Sequence, residues 1–171
     1  MEAIQNYSRR DFVKTIGLAS GGLLLAANSS LFASESSTTI ETFNPNLFVY
    51  LQTDGTLTLI ASRSEMGNGV RTSLPSIIAD EMEADWSKVV VQQALGDAKY
   101  GDQNTDGSRS ILYLYETMRK MGATAKALLI TAAAQKWNVP EAECIAQHHF
   151  IVHNSGKKLG FGELAATAKT L

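Results

Sequence analysis

Leu57 and Leu59 alternate with Thr56 and Thr58 in the β-rich run over residues 56–60, the pattern of a strand with one buried face. A β-rich run over residues 47–53 precedes it, and Asp54-Gly55 between the two carries the strongest short hairpin chemistry. The period then changes. Leu74, Ile77, Ile78 and Met82 recur at helical spacing and predict a helix over about residues 70–83, with Pro75 acceptable only near its first turn. Residues 88–94 read as a short apolar strand and residues 95–107 as a polar, glycine-containing loop. Over residues 108–136 there is no proline, and Ile111, Tyr115, Met118, Gly122, Ala125, Leu129 and Ala132 recur at steps of four and three. That spacing predicts one long helix with a single buried face, and Gly122 with its alanines predicts close approach of another element. Val139-Pro140-Glu141 opens a turn, residues 145–153 read as a strand, Asn154-Ser155-Gly156 as a turn, and residues 161–169 as a last helix. The fold class is α+β: an antiparallel, hairpin-containing sheet with a long buried helix, expected to be an incomplete part of a larger subunit.

Ahead of these elements lies a segment with a different logic. Ser8-Arg9-Arg10-Asp11-Phe12-Val13-Lys14 precedes a weakly apolar run from Ile16 to Ala27 broken by Gly17, Gly21 and Gly22, and then Asn28-Ser29-Ser30. Two arginines, an apolar stretch and small polar residues form the layout of an export signal, and the run is too short and too glycine-rich for a stable bilayer-spanning helix. The segment resembles a twin-arginine signal, so residues 1–33 are expected to engage the twin-arginine translocase and direct the chain to the periplasm. Ala27-Asn28-Ser29 and Ser34-Glu35-Ser36 both offer cleavage points, and retention of the segment would leave the protein membrane-associated. Residues 34–46, rich in Ser and Thr, read as a linker, and residues 47–171 as the folded part.

Composition narrows the classes. A hydrophobic fraction of 44% in 171 residues supports one core of ordinary size. The net charge of −2 leaves no basic face for a polyanion, so no nucleic-acid partner is expected. Cys144 is the single cysteine, which excludes an internal disulfide and an iron–sulfur cluster built by this chain alone.

Two loops carry the candidate chemistry. Gly67-Asn68-Gly69 sits between a strand and a helix, where glycines permit positive φ and let a ligand approach bare amides. The N–H groups at the start of a helix favour an anion, and Thr72 adds a hydroxyl one turn in. Thr105-Asp106-Gly107-Ser108-Arg109-Ser110 repeats the plan with hydroxyls and a guanidinium before the long helix. Two such helix starts together can hold one doubly anionic ligand. Neither loop is a P-loop, since no Lys-Ser/Thr follows the glycines, and neither is a dinucleotide fingerprint, since the third glycine is missing.

Taken in order, Ser64-Glu65-Met66-Gly67-Asn68-Gly69-Val70-Arg71-Thr72, Ile78-Ala79-Asp80-Glu81-Met82, Ala84-Asp85-Trp86, the Gly-Ser-Arg-Ser loop, Trp137 to Pro140 and Gly162 to Ala165 resemble the large subunits of molybdenum hydroxylases. These are the xanthine dehydrogenase and aldehyde oxidase relatives, and the same order of landmarks resembles the exported branch called isoquinoline 1-oxidoreductase subunit beta. The resemblance covers residues 8–168. It implies a molybdopterin cofactor in its cytosine dinucleotide form, held at Gly67, Asn68, Gly69, Thr72, Gly107, Ser108, Arg109 and Ser110. It also implies oxidation of N-heterocycles or aldehydes as small-molecule substrates, with electrons passed to a small [2Fe–2S] subunit. Asn68 stands where that family carries glutamine, one methylene longer, and Asp106 where glycine is common, with Arg109 available to pair it. The family's catalytic glutamate lies near the far end of a much longer subunit, so no residue here is expected to be catalytic. The chain reads as an amino-terminal segment whose partner is the remainder of the large subunit, and alone it is expected to be inactive.

Other residues read as structural. Glu65 is expected to be a solvated or hydrogen-bonded loop carboxylate. On a single strand His149 and His153 would share a face with His148 turned away, so no metal site is expected. Cys144 lacks an activating partner, and Lys157-Lys158 forms a hairpin tip. Trp86, Trp137 and Tyr115 are expected in the core, with Tyr113 free to touch a partner subunit. Two rival readings stand beside the enzyme segment. One is a self-standing exported module binding a phosphorylated ligand, and the other a remnant without function.

Overall fold

The computed structural model describes residues 42–171. The expected export signal lies outside them, as does most of the expected linker. The last five residues of that linker instead form strand β1 (Thr42–Asn46). Phe43 is buried and lies opposite Leu51 on the next strand, and burial of one aromatic outweighs a composition that reads as loop. Pro45 is tolerated because β1 is the edge of its sheet.

Strands β2 (Val49–Gln52) and β3 (Leu57–Ala61) form the expected hairpin, with Val49 opposite Leu59 and Leu51 opposite Leu57. Gly55 takes φ 90° in the turn, and the Asp54 carboxylate accepts the Thr56 N–H at 2.8 Å. Helix α1 (Val70–Glu81) then returns the chain to β4 (Val89–Gln93), which lies parallel to β3 with Leu57 beside Val89 and Ala61 beside Gln93. A parallel neighbour requires a crossover of this length, and α1 supplies it. The first sheet thus runs β1-β2-β3-β4.

Helix α1 continues through Pro75 in its second turn, beyond where proline was expected to be tolerated. The proline removes a donor to the Arg71 carbonyl, which belongs to an exposed residue and is therefore open to hydration. Helix α2 (Arg109–Trp137) runs beside α1 in the same direction, since Ser73 neighbours Ile111, Ile77 neighbours Tyr115, and Glu81 pairs with Arg119. The Glu81 carboxylate accepts from Arg119 at 2.9 Å and Lys126 at 3.3 Å, and the Arg119 bond leads in holding its pKa below the usual range. The helices come closest at Gly122, where an added Cβ would lie 2.8 Å from the Ile78 carbonyl oxygen.

Met118, Gly122, Ala125, Leu129 and Ala132 are buried as the spacing predicts, but Ile111 and Tyr115 are not, Tyr115 being 44% exposed. The reason is the number of neighbours. Helix α2 packs against α1, the first sheet, β5 and the last helix, and the Asn46 side chain donates to the Met121 carbonyl at 3.2 Å, whereas Ile111 and Tyr115 lie in its first two turns, where they line open surface beside α1. Trp86, also expected in the core, is 44% exposed on the short 3-10 turn Trp86–Lys88, because it precedes the edge strand β4 and no further layer among the described residues covers that edge.

The second sheet is antiparallel, β5 (Cys144–Gln147), β6 (Phe150–His153) and β7 (Lys158–Gly160), followed by helix α3 (Phe161–Ala168). Residues 145–153 are therefore a hairpin and not one strand. His148 and His149 occupy its two-residue turn at φ 47° and 70°, values that histidine adopts more readily than most side chains. His149 is 1% exposed. It lies against Phe161 with ring centroids 4.4 Å apart, its Nε2 meets the Gly55 carbonyl at 2.9 Å, and its Nδ1 accepts the Asp85 N–H at 3.3 Å. His153 instead bonds Glu143 at 2.8 Å and Ser155 at 2.7 Å, so the two buried histidines serve separate corners. Cys144 is buried, which pushes its thiol pKa up. Leu51, Leu57 and Leu59 of the first sheet, Leu74 and Ile78 of α1, Leu129 of α2 and Phe161 and Leu164 of α3 form one core.

Candidate functional site

Strands β3 and β4 end side by side, and both glycine loops leave from their carboxyl ends, the position where ligands gather in parallel arrangements. The chain beyond β4 is sewn back along the chain beyond β3. Arg63, 3% exposed, donates through Nη1 to Asp102 at 3.0 Å and to the Asn104 carbonyl. Gln103 Nε2 donates to the Ser62 carbonyl at 3.1 Å, and Thr105 Oγ1 to the Ser64 carbonyl at 2.6 Å. This strap places Gly107 and Ser108 opposite Met66 and Asn68.

Between the loops and the first turns of α1 and α2 lies an open cavity of about 290 Å³, lined by Asn68, Ser73, Ser108 and Ser110 among its polar groups and by Met66, Val70 and Ile111 among its apolar ones. Of the sequence-predicted residues, Asn68, Gly107, Ser108 and Ser110 line it. Gly67 and Gly69 shape the turn at φ 89° and 78° without lining the cavity. Thr72 is exposed and points elsewhere, and Ser73, one helical step on, takes its place. Arg109 pairs with Asp106 in a bidentate contact, Nη2 to Oδ1 and Oδ2 both at 2.5 Å, and its guanidinium lies 5.7 Å from the Tyr113 ring centre. Asp106 is therefore neutralised by the partner the sequence suggested. Met66, Val70, Ser73 and Ile111 also line it, though nothing in the sequence assigned them a binding role. The helical period of α1 and α2 places Ser73 and Ile111, but no local motif marks them.

The two loops differ where the sequence made them look alike. At the start of α1 the chain supplies its own anion: the Glu65 carboxylate accepts the N–H groups of Gly67, Gly69 and Arg71 at 2.7, 3.0 and 2.9 Å. Those bonds, the Arg71 amide foremost, hold its pKa below the usual carboxylate range. At the start of α2 no side chain among the described residues caps the helix, and its first turn carries no acidic residue. The expectation of two equivalent amide cradles is corrected accordingly, since one is closed by Glu65.

The family model of the molybdopterin cofactor-binding domain matches residues 7–170. The chain belongs to this family. Isoquinoline 1-oxidoreductase subunit beta of Brevundimonas diminuta is 31% identical over 175 residues, covering 95% of this chain and 22% of that protein. The membrane-bound pyrroloquinoline-quinone aldehyde dehydrogenase of Gluconacetobacter polyoxogenes is 35% identical over 124 residues, covering 72% of this chain and 16% of that protein. Among solved structures, the Cu,Mo CO dehydrogenase in its carbon monoxide reduced state shares the fold, with a TM-score of 0.59 at 18% identity over 94% of this chain and 24% of that one. Quinoline 2-oxidoreductase from Pseudomonas putida 86 gives a TM-score of 0.58 at 20% identity over 68% of this chain and 15% of that one. The chain thus spans about a fifth of the length of its curated relatives, 22% and 16% of the two named.

As a molybdopterin-binding fold, its cavity has the chemistry of a pterin's surroundings. Met66, Val70 and Ile111 offer apolar contact to a flat heterocycle, and Asn68, Ser73, Ser108 and Ser110 offer donors and acceptors to its edge. Asn68 Oδ1 is engaged by the Val70 N–H at 3.4 Å, which leaves its NH₂ as a donor.

Proposed function

We propose that this chain builds one wall of the molybdopterin site of an oxidoreductase that hydroxylates N-heterocycles or oxidises aldehydes. The observation that carries the reading is the cavity shared by both glycine loops at the carboxyl ends of β3 and β4, in a chain of the molybdopterin-binding family. The asymmetry of the loops orients the ligand. With the start of α1 closed by Glu65, the anionic end belongs with the uncapped start of α2, at Gly107 to Ser110. The neutral heterocycle belongs with Met66 and Asn68. When bound, the cofactor supplies the redox chemistry, and the residues of this chain grip, orient and shield it.

The remaining parts of the proposal rest on the family and on the amino-terminal motif. The cofactor is the cytosine dinucleotide form, whose nucleotide half extends beyond this cavity to the remainder of the large subunit. That remainder holds the catalytic base and the substrate pocket, and a small [2Fe–2S] subunit takes the electrons. Arg9 and Arg10 direct the folded protein through the twin-arginine translocase to the periplasm.

Purification of the tagged chain with its native partners from its own host tests the reading. Molybdenum and pterin are expected in the preparation, and pterin content is expected to fall about tenfold in the Asn68→Ala/Ser110→Ala double variant, which removes two hydrogen-bonding groups from the cavity. A folded, partnered preparation devoid of both metal and pterin rejects it.

A further inference from the structure

All four residues of the turn over 66–69 are exposed. A Cβ added at Gly67 or Gly69 meets nothing within 4 Å, and both residues adopt positive φ, which leaves them free to populate many backbone conformations. What closes the turn is one side chain that precedes it. Glu65 Oε1 accepts from Gly67 and Gly69, and Oε2 from Arg71, so a single carboxylate bridges two, four and six residues of chain. The other amides at the start of α1 are also satisfied within the chain: Val70 donates to Asn68 Oδ1, and Thr72 and Ser73 donate to the Gly69 carbonyl at 3.1 and 3.0 Å. An incoming phosphate finds no amide of Val70 to Ser73 unpaired.

We propose that Glu65 is a positioning residue for the cofactor site, whose carboxylate splints the turn so that Met66 and Asn68 face the cavity and the amides of α1 stay closed to the cofactor's phosphate. The role rests on the molybdopterin reading of the cavity, whereas the splint itself is a property of this chain alone. Glu65 touches neither cofactor nor substrate. It acts through Asn68, the residue between the two glycines.

Glu65→Gln is the discriminating change. It keeps the size of the side chain and one acceptor oxygen but replaces the other with an NH₂ that cannot receive an amide N–H. In the full chain, hydrogen-exchange protection of Gly67, Gly69 and Arg71 is expected to fall about tenfold or more in the variant, while that of Leu74, Ile78 and Leu129 stays unchanged and certifies the fold. In the wild type the same three amides are expected to lose protection as pH falls through the titration of Glu65, a profile absent from the variant. Pterin retained by the purified protein, read from the fluorescence of its oxidised form, is expected to fall in parallel. Unchanged protection in Glu65→Gln overturns the splint. Higher pterin retention in Glu65→Ala makes the carboxylate a competitor of the cofactor and overturns the positioning role. A wild-type protein that holds no pterin, while its three amides follow Glu65, defeats the cofactor reading and with it the positioning role, leaving Glu65 a purely local brace.

Discussion

His149 ties three stretches of chain that are distant in sequence. Its ring bridges the Gly55 carbonyl and the Asp85 N–H, so Nε2 carries the proton and Nδ1 accepts. Burial is the main force pushing its pKa down, aided by Lys88 and opposed by the Gly55 contact and Asp85. A histidine whose folded pKa lies below its unfolded value binds more protons when unfolded. Stability is therefore complete above the ordinary histidine range near 6.5 and is lost as pH falls through it. Replacement by alanine is expected to cost about 2–4 kcal/mol, from two orphaned backbone groups and a cavity against Phe161. Urea denaturation at pH 5 and pH 7 checks both expectations, because the acid loss should shrink once the imidazole is gone.

At the level of elements, the closest seam lies between α3 and the β2–β3 hairpin. A Cβ at Gly162 would stand 2.5 Å from the Gly55 nitrogen and 2.6 Å from the Thr53 carbonyl oxygen, both backbone atoms that cannot step aside. Gly162→Ala is thus expected to lower stability by about 2–3 kcal/mol or to prise α3 from the hairpin, a shift that thermal melting and exchange at Phe161 and Leu164 would register. The elements written in local chemistry were legible: the Asp-Gly hairpin, the 3.6 period of both long helices, and the glycines of the first site loop. What escaped depends on partners far along the chain. Nothing near residue 89 says that β4 lies parallel to β3, although a strand–helix–strand order is the usual sign of such a crossover. The turn at His148-His149 contains no glycine or asparagine, and so reads as uninterrupted strand. The filled start of α1 could have been anticipated from an acidic side chain placed just ahead of a helix, where its charge is favoured.

The molecule as a whole presents an uneven surface. Leu112, Tyr113 and Tyr115 are exposed along the amino half of α2, close to the cavity that Ile111 lines. In a family whose curated members named above are several times longer than this chain, this flank suits the proposed contact with the remainder of the large subunit. The export proposal is also a property of the whole chain, because the twin-arginine route carries folded cargo. Replacing both Arg9 and Arg10 by lysine is expected to move the protein from the periplasmic to the cytoplasmic fraction while its melting temperature is unaltered. Persistent periplasmic recovery of that variant would rule the route out.

Gly122 lies eleven residues from Ile111, about 16 Å along the helix axis. The crossing there is a close one, α1 and α2 meeting at one missing methyl group, and the first turns of both helices line the cavity proposed to receive the cofactor. The aperture is therefore expected to respond to a contact remote from it. A wedge at the crossing as small as one carbon would shift the two helix starts before it touched anything that lines the cavity.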